Sequence, residues 1–169
     1  MEAFNLALLV KQWWRLSHDE DSLIYKVMKA KYFPYTEVSR AKRGPKVSYL
    51  WSSLLEGKKV VDRGSIWRVG DGKKVEVWND RWIKKPPDFK VQCSDHIQPT
   101  IMKVAQLFHN GKMEWNSGMI REMMTVEDAS LVEKISLSKK GISDKLIWRE
   151  SVNGLFSVKS AYFEARRVL

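Results

Sequence analysis

The chain has 169 residues, 44% of them hydrophobic, with eight tryptophans and a formal net charge of +10. That apolar and aromatic content excludes a disordered chain, and the length suffices for one domain with its own core. No apolar run approaches the length of a membrane-spanning helix, and Glu2 stands where a signal peptide needs positive charge.

The charge is concentrated. Residues 26–90 hold 17 Lys/Arg against 7 Asp/Glu, and the remainder holds 13 of each. A localised basic region is the pattern of a polyanion-binding surface, with RNA or DNA as the expected partner; the plainer reading is a solvated face. No basic amphipathic helix with a bulky apolar face lies in this region, so a membrane is not expected as a partner. Cys93 is the single cysteine, without a partner for an internal disulfide, which fits a reducing compartment of the cell, nucleus or cytoplasm.

In chain order, residues 2–16 predict a helix, with Leu6, Leu9, Val10, Trp13 and Leu16 on one face and Phe4 and Leu8 widening it. Asp19 or Asp21 is positioned to cap a second helix over residues 22–32, buried through Leu23, Ile24, Val27 and Met28 and ended by Pro34. Residues 36–47 predict a basic loop. Residues 48–56 predict a helix with Gly57 as its C-cap. Residues 65–69 and 74–78 alternate around Gly70-Asp71-Gly72, which predicts an antiparallel hairpin over about 65–78. Lys84-Lys85-Pro86-Pro87 predicts an exposed linker. Short helices are expected at 101–109, 116–124 and 125–134. Asn153-Gly154 predicts a second hairpin over about 145–157, and Ser157 caps a final helix over 158–168. The fold class expected is α+β, several helices with two short antiparallel β-hairpins, in a single or truncated domain over 1–169. A subdivision into 1–83, a linker at 84–100 and 101–169 is the alternative.

The motifs carry more. Trp67-Arg68-Val69-Gly70-Asp71-Gly72 followed by Val77-Trp78-Asn79-Asp80-Arg81-Trp82 resembles the W-R-[IV]-G-[DN]-G…[IV]-W-x-D-x-W signature of plant LINE-type (non-LTR) retrotransposon polyproteins. Ala3–Leu16 is similar to that family's A-x-N-x-A-L-L-x-K-Q-x-W-R-L helix, and Lys29–Pro34 to its K-A-K-Y-F-P turn. Ser48–Leu55 resembles S-[YF]-x-W-R-S-[IL]-[LW], with Ser52 where the family usually has Arg. Asp144–Trp148 and Gly154–Tyr162 resemble its D-x-x-x-W…G-x-[FY]-[ST]-V-[KR]-S-[AG]-Y close. The matches are colinear over nearly the whole chain. The resemblance implies a non-catalytic region between the reverse-transcriptase domain and a Cys/His zinc-binding segment. It also implies that the polymerase part is cut away before Met1 and that the zinc ligands lie beyond Leu169.

The chemistry readable in the chain agrees with a non-catalytic part. The family's polymerase carries paired aspartates on a palm turn, and this chain contains no Asp-Asp pair. No motif gathers its 20 acidic residues into an RNase H set. Cys93 and His96 have C-x₂-H spacing, but His18 and His109 do not form the second close pair of a structural zinc site, so no metal or other cofactor is expected. Gly70-Asp71-Gly72-Lys73 lacks the length and the following helix of a phosphate loop. The candidate nucleic-acid-binding residues are Lys42, Arg43 and Lys46 in the loop, and Arg68, Lys73, Lys74, Trp78 and Arg81 around the hairpin. Lysine and arginine contact phosphates without reading sequence. Trp78 and Trp82 have two readings, core residue or stacking platform for an unpaired base. Trp51 and Trp67 are assigned to the core. An inert retroelement remnant and a host-recruited protein-interaction module are the other functional readings.

Overall fold

A computed structural model describes residues 1–45, 47–138 and 140–169. The helices are α1 (Glu2–His18), α2 (Leu23–Tyr32), α3 (Tyr49–Gly64), α4 (Ser117–Met123), α5 (Val126–Glu133) and α6 (Val158–Val168). Strands β1 (Ser65–Arg68) and β2 (Lys145–Trp148) pair antiparallel, and single 3-10 turns occupy Val38–Arg40 and Val104–Leu107. The class is α+β. The chain divides into two compact units: a helical unit, Met1–Ser65 with Trp148–Leu169, and an inserted unit, Ile66–Ile147. Residues 84–100, read in the sequence as a linker, lie inside the inserted unit.

In the helical unit α1 packs against α3 and α6. It buries Ala7, Val10, Trp13 and Leu16; of the expected face Val10, Trp13 and Leu16 are buried, Leu6 and Leu9 are half-buried, and Phe4 and Leu8, expected to widen it, are exposed. Gly57 is not a C-cap. It lies inside α3, where a Cβ would come within 2.7 Å of the Leu9 carbonyl carbon. Glycine here admits a neighbouring backbone instead of stopping the helix, and α3 runs on to Gly64. Trp51 is fully buried on α3, 5.5 Å from Trp13. Helix α2 is capped by Ser22, whose hydroxyl accepts the Tyr25 N–H at 3.3 Å, and not by Asp19 or Asp21. Its buried face is Tyr25 and Met28, whereas Leu23, Ile24 and Val27 are exposed. The aromatic side chains decide this rotation. Tyr32 and Phe33 stack on Trp51 at 4.5 and 5.8 Å, and Tyr25 meets Phe33 edge-on.

At the other end of this unit Trp148 is fully buried, and its indole N–H donates to the Ser160 hydroxyl at 2.9 Å. Its ring lies so close to Gly64 that a Cβ there would sit 2.4 Å from it. The Asn153-Gly154 turn forms, with Gly154 at φ +73°. The return strand of the expected 145–157 hairpin does not. After one bond from the Trp148 N–H to the Gly154 carbonyl, the chain enters α6, which Ser157 caps through the Ser160 N–H.

The inserted unit is built on a core that includes Val75, Val77, Trp82, Ile83, Val104 and Leu107. The expected 65–78 hairpin is replaced by longer-range pairing. Strand β1 pairs with β2, and residues 72–77 run beside 102–105 instead. The Val77 N–H donates to the Met102 carbonyl at 2.8 Å and the Val104 N–H to the Val75 carbonyl at 3.0 Å. The expected 101–109 helix reduces to one 3-10 turn, because the segment before it is extended to make these bonds. Helices α4 and α5 form where expected, and the Thr125 hydroxyl caps α5.

Candidate nucleic-acid interface

The motif Trp67–Gly72 leads from β1 into a turn that a distant carboxylate holds. Asp144 Oδ1 accepts the N–H groups of Gly70 and Gly72 at 2.7 and 2.9 Å, and Oδ2 accepts that of Lys74 at 2.8 Å. The carboxylate is 6% exposed, so its charge is satisfied by three aligned backbone donors. Gly72 has φ +68°, and Gly70 lies where a Cβ would fall 2.0 Å from the Ile142 carbonyl oxygen. Two segments of the motif pattern, far apart in sequence, thus meet in one hydrogen-bonded knot.

Other carboxylates of this unit also point inward. Asp80 accepts the Glu76 N–H at 2.7 Å. Asp128, fully buried, accepts from Lys85 Nζ and from the Gln92 N–H, each at 2.7 Å. The hydrogen bond to Asp128 holds the Lys85 ammonium above the usual lysine range, against the opposing effect of desolvation. Lys85 therefore ties its segment to α5, which corrects the reading of 84–87 as a free linker. Lys84 beside it is exposed.

The sequence-predicted residues fall in both units. Lys42 and Arg43 are exposed in the helical unit, and Lys46 lies outside the described residues. Arg68, Lys73, Lys74, Trp78 and Arg81 belong to the inserted unit. Arg68 and Lys73 are exposed, with Lys73 Nζ 3.8 Å from Asp71. Lys74 is half-buried. Arg81 is half-buried with its guanidinium 6.0 Å from the Phe89 ring centroid. Trp78 packs partly buried against the core. Trp82 is 3% exposed and donates to the Val77 carbonyl at 2.9 Å, so it is a core residue and no platform. Trp67, assigned wholly to the core, is only partly buried.

Beside β1 the inserted unit carries a groove of about 430 Å³, lined by Trp67, Arg68, Lys84, Leu131, Lys134 and Ile135 among others. Arg68, Lys84 and Lys134 are exposed, and none has an ion-pair partner among the described residues. Reading the sequence did not single out Lys84 or Lys134, because only the fold brings α5 and the segment after Trp82 to the side of β1. Cys93 donates to the Ile97 carbonyl at 3.2 Å. Among the described residues no cluster of three or more His, Cys, Asp or Glu is arranged for a metal ion.

No protein-family profile matches the chain, and no solved structure matches it. It is 30% identical over 167 residues to an Arabidopsis thaliana protein named "Putative ribonuclease H protein", across 95% of this chain and 27% of that protein. It is 38% identical over 80 residues to an Arabidopsis thaliana "Uncharacterized mitochondrial protein", across 47% of this chain and 52% of that one. The chain spans about a quarter of the first relative's length and about half of the second's. Along nearly its whole length it is therefore related to one segment of a longer plant protein.

Proposed function

We propose that the chain is a non-catalytic, nucleic-acid-contacting segment of a plant LINE-type retroelement protein, the part between the polymerase and the Cys/His zinc-binding segment. The observation that carries this reading is the knot at Asp144. The residues that resemble the family signature hold the backbone together, and the buried carboxylates Asp80, Asp128 and Asp144 each accept backbone N–H groups. Acidic side chains used in this way are not free to hold catalytic metal. Turning them inward leaves the exterior of the inserted unit more basic than its 14 Lys/Arg against 11 Asp/Glu suggest. The similarity to the protein named for ribonuclease H supports a place beside nucleic acid.

The test is anisotropy of labelled single-stranded RNA, duplex DNA and an RNA–DNA hybrid with the purified chain across a salt series. Affinity falling linearly in log–log form, by roughly 0.7–0.9 in slope for each phosphate contact, is expected. No binding at low salt from a folded sample would overturn the reading. A protein-interaction module is the second reading. The exposed side chains of Leu23, Ile24 and Val27 along α2 favour it.

A further inference from the structure

We propose that the groove beside β1 receives one unstacked nucleotide of a single strand, its base against Trp67 and the apolar wall and its phosphates on Arg68, Lys84 and Lys134. This rests on the nucleic-acid reading above and assigns it a place. The volume of about 430 Å³ lies in the range of small-molecule sites. The lining combines two chemistries that a nucleotide also combines. Trp67, Leu131 and Ile135 supply aromatic and aliphatic surface, and three cations supply charge. Among the described residues no carboxylate lines the groove, so its polar side chains there are donors, with the Ser136 hydroxyl able to act as either.

The cations are available. Lys85 is engaged with Asp128, and Arg121 with Glu133. Arg68, Lys84 and Lys134 have no such partner among the described residues, so an incoming anion does not compete with an internal carboxylate. A duplex fits poorly, because its base faces are stacked inside and only its phosphates are presented. An unpaired nucleotide offers its planar face to Trp67 and its phosphates to the cations together. The groove stands on a firm base. Trp67 and Arg68 lie on β1, the Trp67 N–H is bonded to the Arg81 carbonyl at 2.8 Å, and the turn after β1 is held by Asp144.

The experiment compares the whole chain with the variant R68E/K84E/K134E, binding a single-stranded RNA pentanucleotide and its fully abasic analogue. All three positions are exposed, and an unchanged circular-dichroism melt is the check on folding. For the parent, the abasic strand is expected to bind roughly 5- to 150-fold more weakly than the strand with bases. A 2-aminopurine in the strand should lose emission on binding. The triple variant should lose both the affinity and the quenching, while Lys112→Glu, away from the groove, should retain them. Binding of RNA by the parent, with the triple variant or the abasic strand behaving as the parent complex does, would overturn the groove and leave the nucleic-acid reading standing. No binding of any strand at low salt would overturn both. Tighter binding of a polyglutamate peptide or a fatty-acid anion than of the pentanucleotide, lost in the triple variant, would reassign the groove.

Discussion

Asp144 illustrates what one residue contributes. A single buried carboxylate accepts three backbone N–H groups from a turn more than sixty residues earlier in the chain. Asp144→Asn keeps the shape, but removes the charge and sets an amide NH₂ against at least one N–H. The expected loss is roughly 2–3 kcal/mol, read from urea unfolding of the variant beside the parent. An unchanged midpoint and slope would show that the knot is not a stability element. Gly72→Ala combines a Cβ 2.4 Å from the Ala105 nitrogen with φ +68°, so it should destabilise as well. The turn itself was legible in the sequence, because Gly-Asp-Gly signals positive φ. Its anchor was not, because a hydrogen bond across such a separation leaves no local pattern.

Helices and strands were legible to different degrees. Helices α1, α4, α5 and α6 followed from periodicity and capping residues, which are local properties. The strands were found, but both were paired with the wrong partners. Alternation says that a segment is extended and does not say what lies beside it. Gly57 and Gly64 teach the same lesson. Gly57 reads as punctuation, yet it is present because the backbone of α1 packs on it, as the Trp148 ring packs on Gly64. Gly57→Ala should therefore destabilise by about 1–3 kcal/mol despite alanine's better helix propensity. A thermal midpoint at or above the parent's would contradict that packing. Arg121 and Glu133 join α4 to α5 by two parallel bonds of 3.0 Å. The Arg121 hydrogen bonds hold the Glu133 carboxyl below the usual glutamate range. A carboxyl depressed in the folded state contributes stability above its unfolded pKa and loses it as pH falls through the folded one. The parent should therefore outlast Glu133→Gln in urea near neutral pH, by a small margin because Arg121 is exposed. That margin should close in acid. A gap that persists in strong acid would assign the effect to packing instead.

At the scale of the whole molecule, the chain order conceals the units. A helical unit opens the chain, the inserted unit interrupts it, and Trp148 with α6 returns to complete the first. The sequence was read as one domain, with a serial subdivision at a linker over 84–100 as the alternative; the helical unit instead closes through the contacts of α6 with α1 and α3. Truncation after Ile147 should thus expose Trp14, which now packs on Trp148 and Phe156. A red-shifted tryptophan emission and increased light scattering are expected. A soluble product with parental emission would contradict the closure by α6. Charge also reads differently once the units are separated. The helical unit holds 16 Lys/Arg against 9 Asp/Glu, so the predicted cations Lys42 and Arg43 belong to the more basic of the two. Nucleic-acid contact could therefore centre on either unit, and the groove argues for the inserted one. Amide and indole NMR shifts of the labelled full chain, titrated with a single-stranded RNA pentanucleotide at low salt, decide between them. Shifts concentrated at Trp67, Arg68, Val69, Lys84 and Lys134 are expected; no shifts, or shifts confined to the helical unit around Lys42 and Arg43, would contradict contact through the inserted unit.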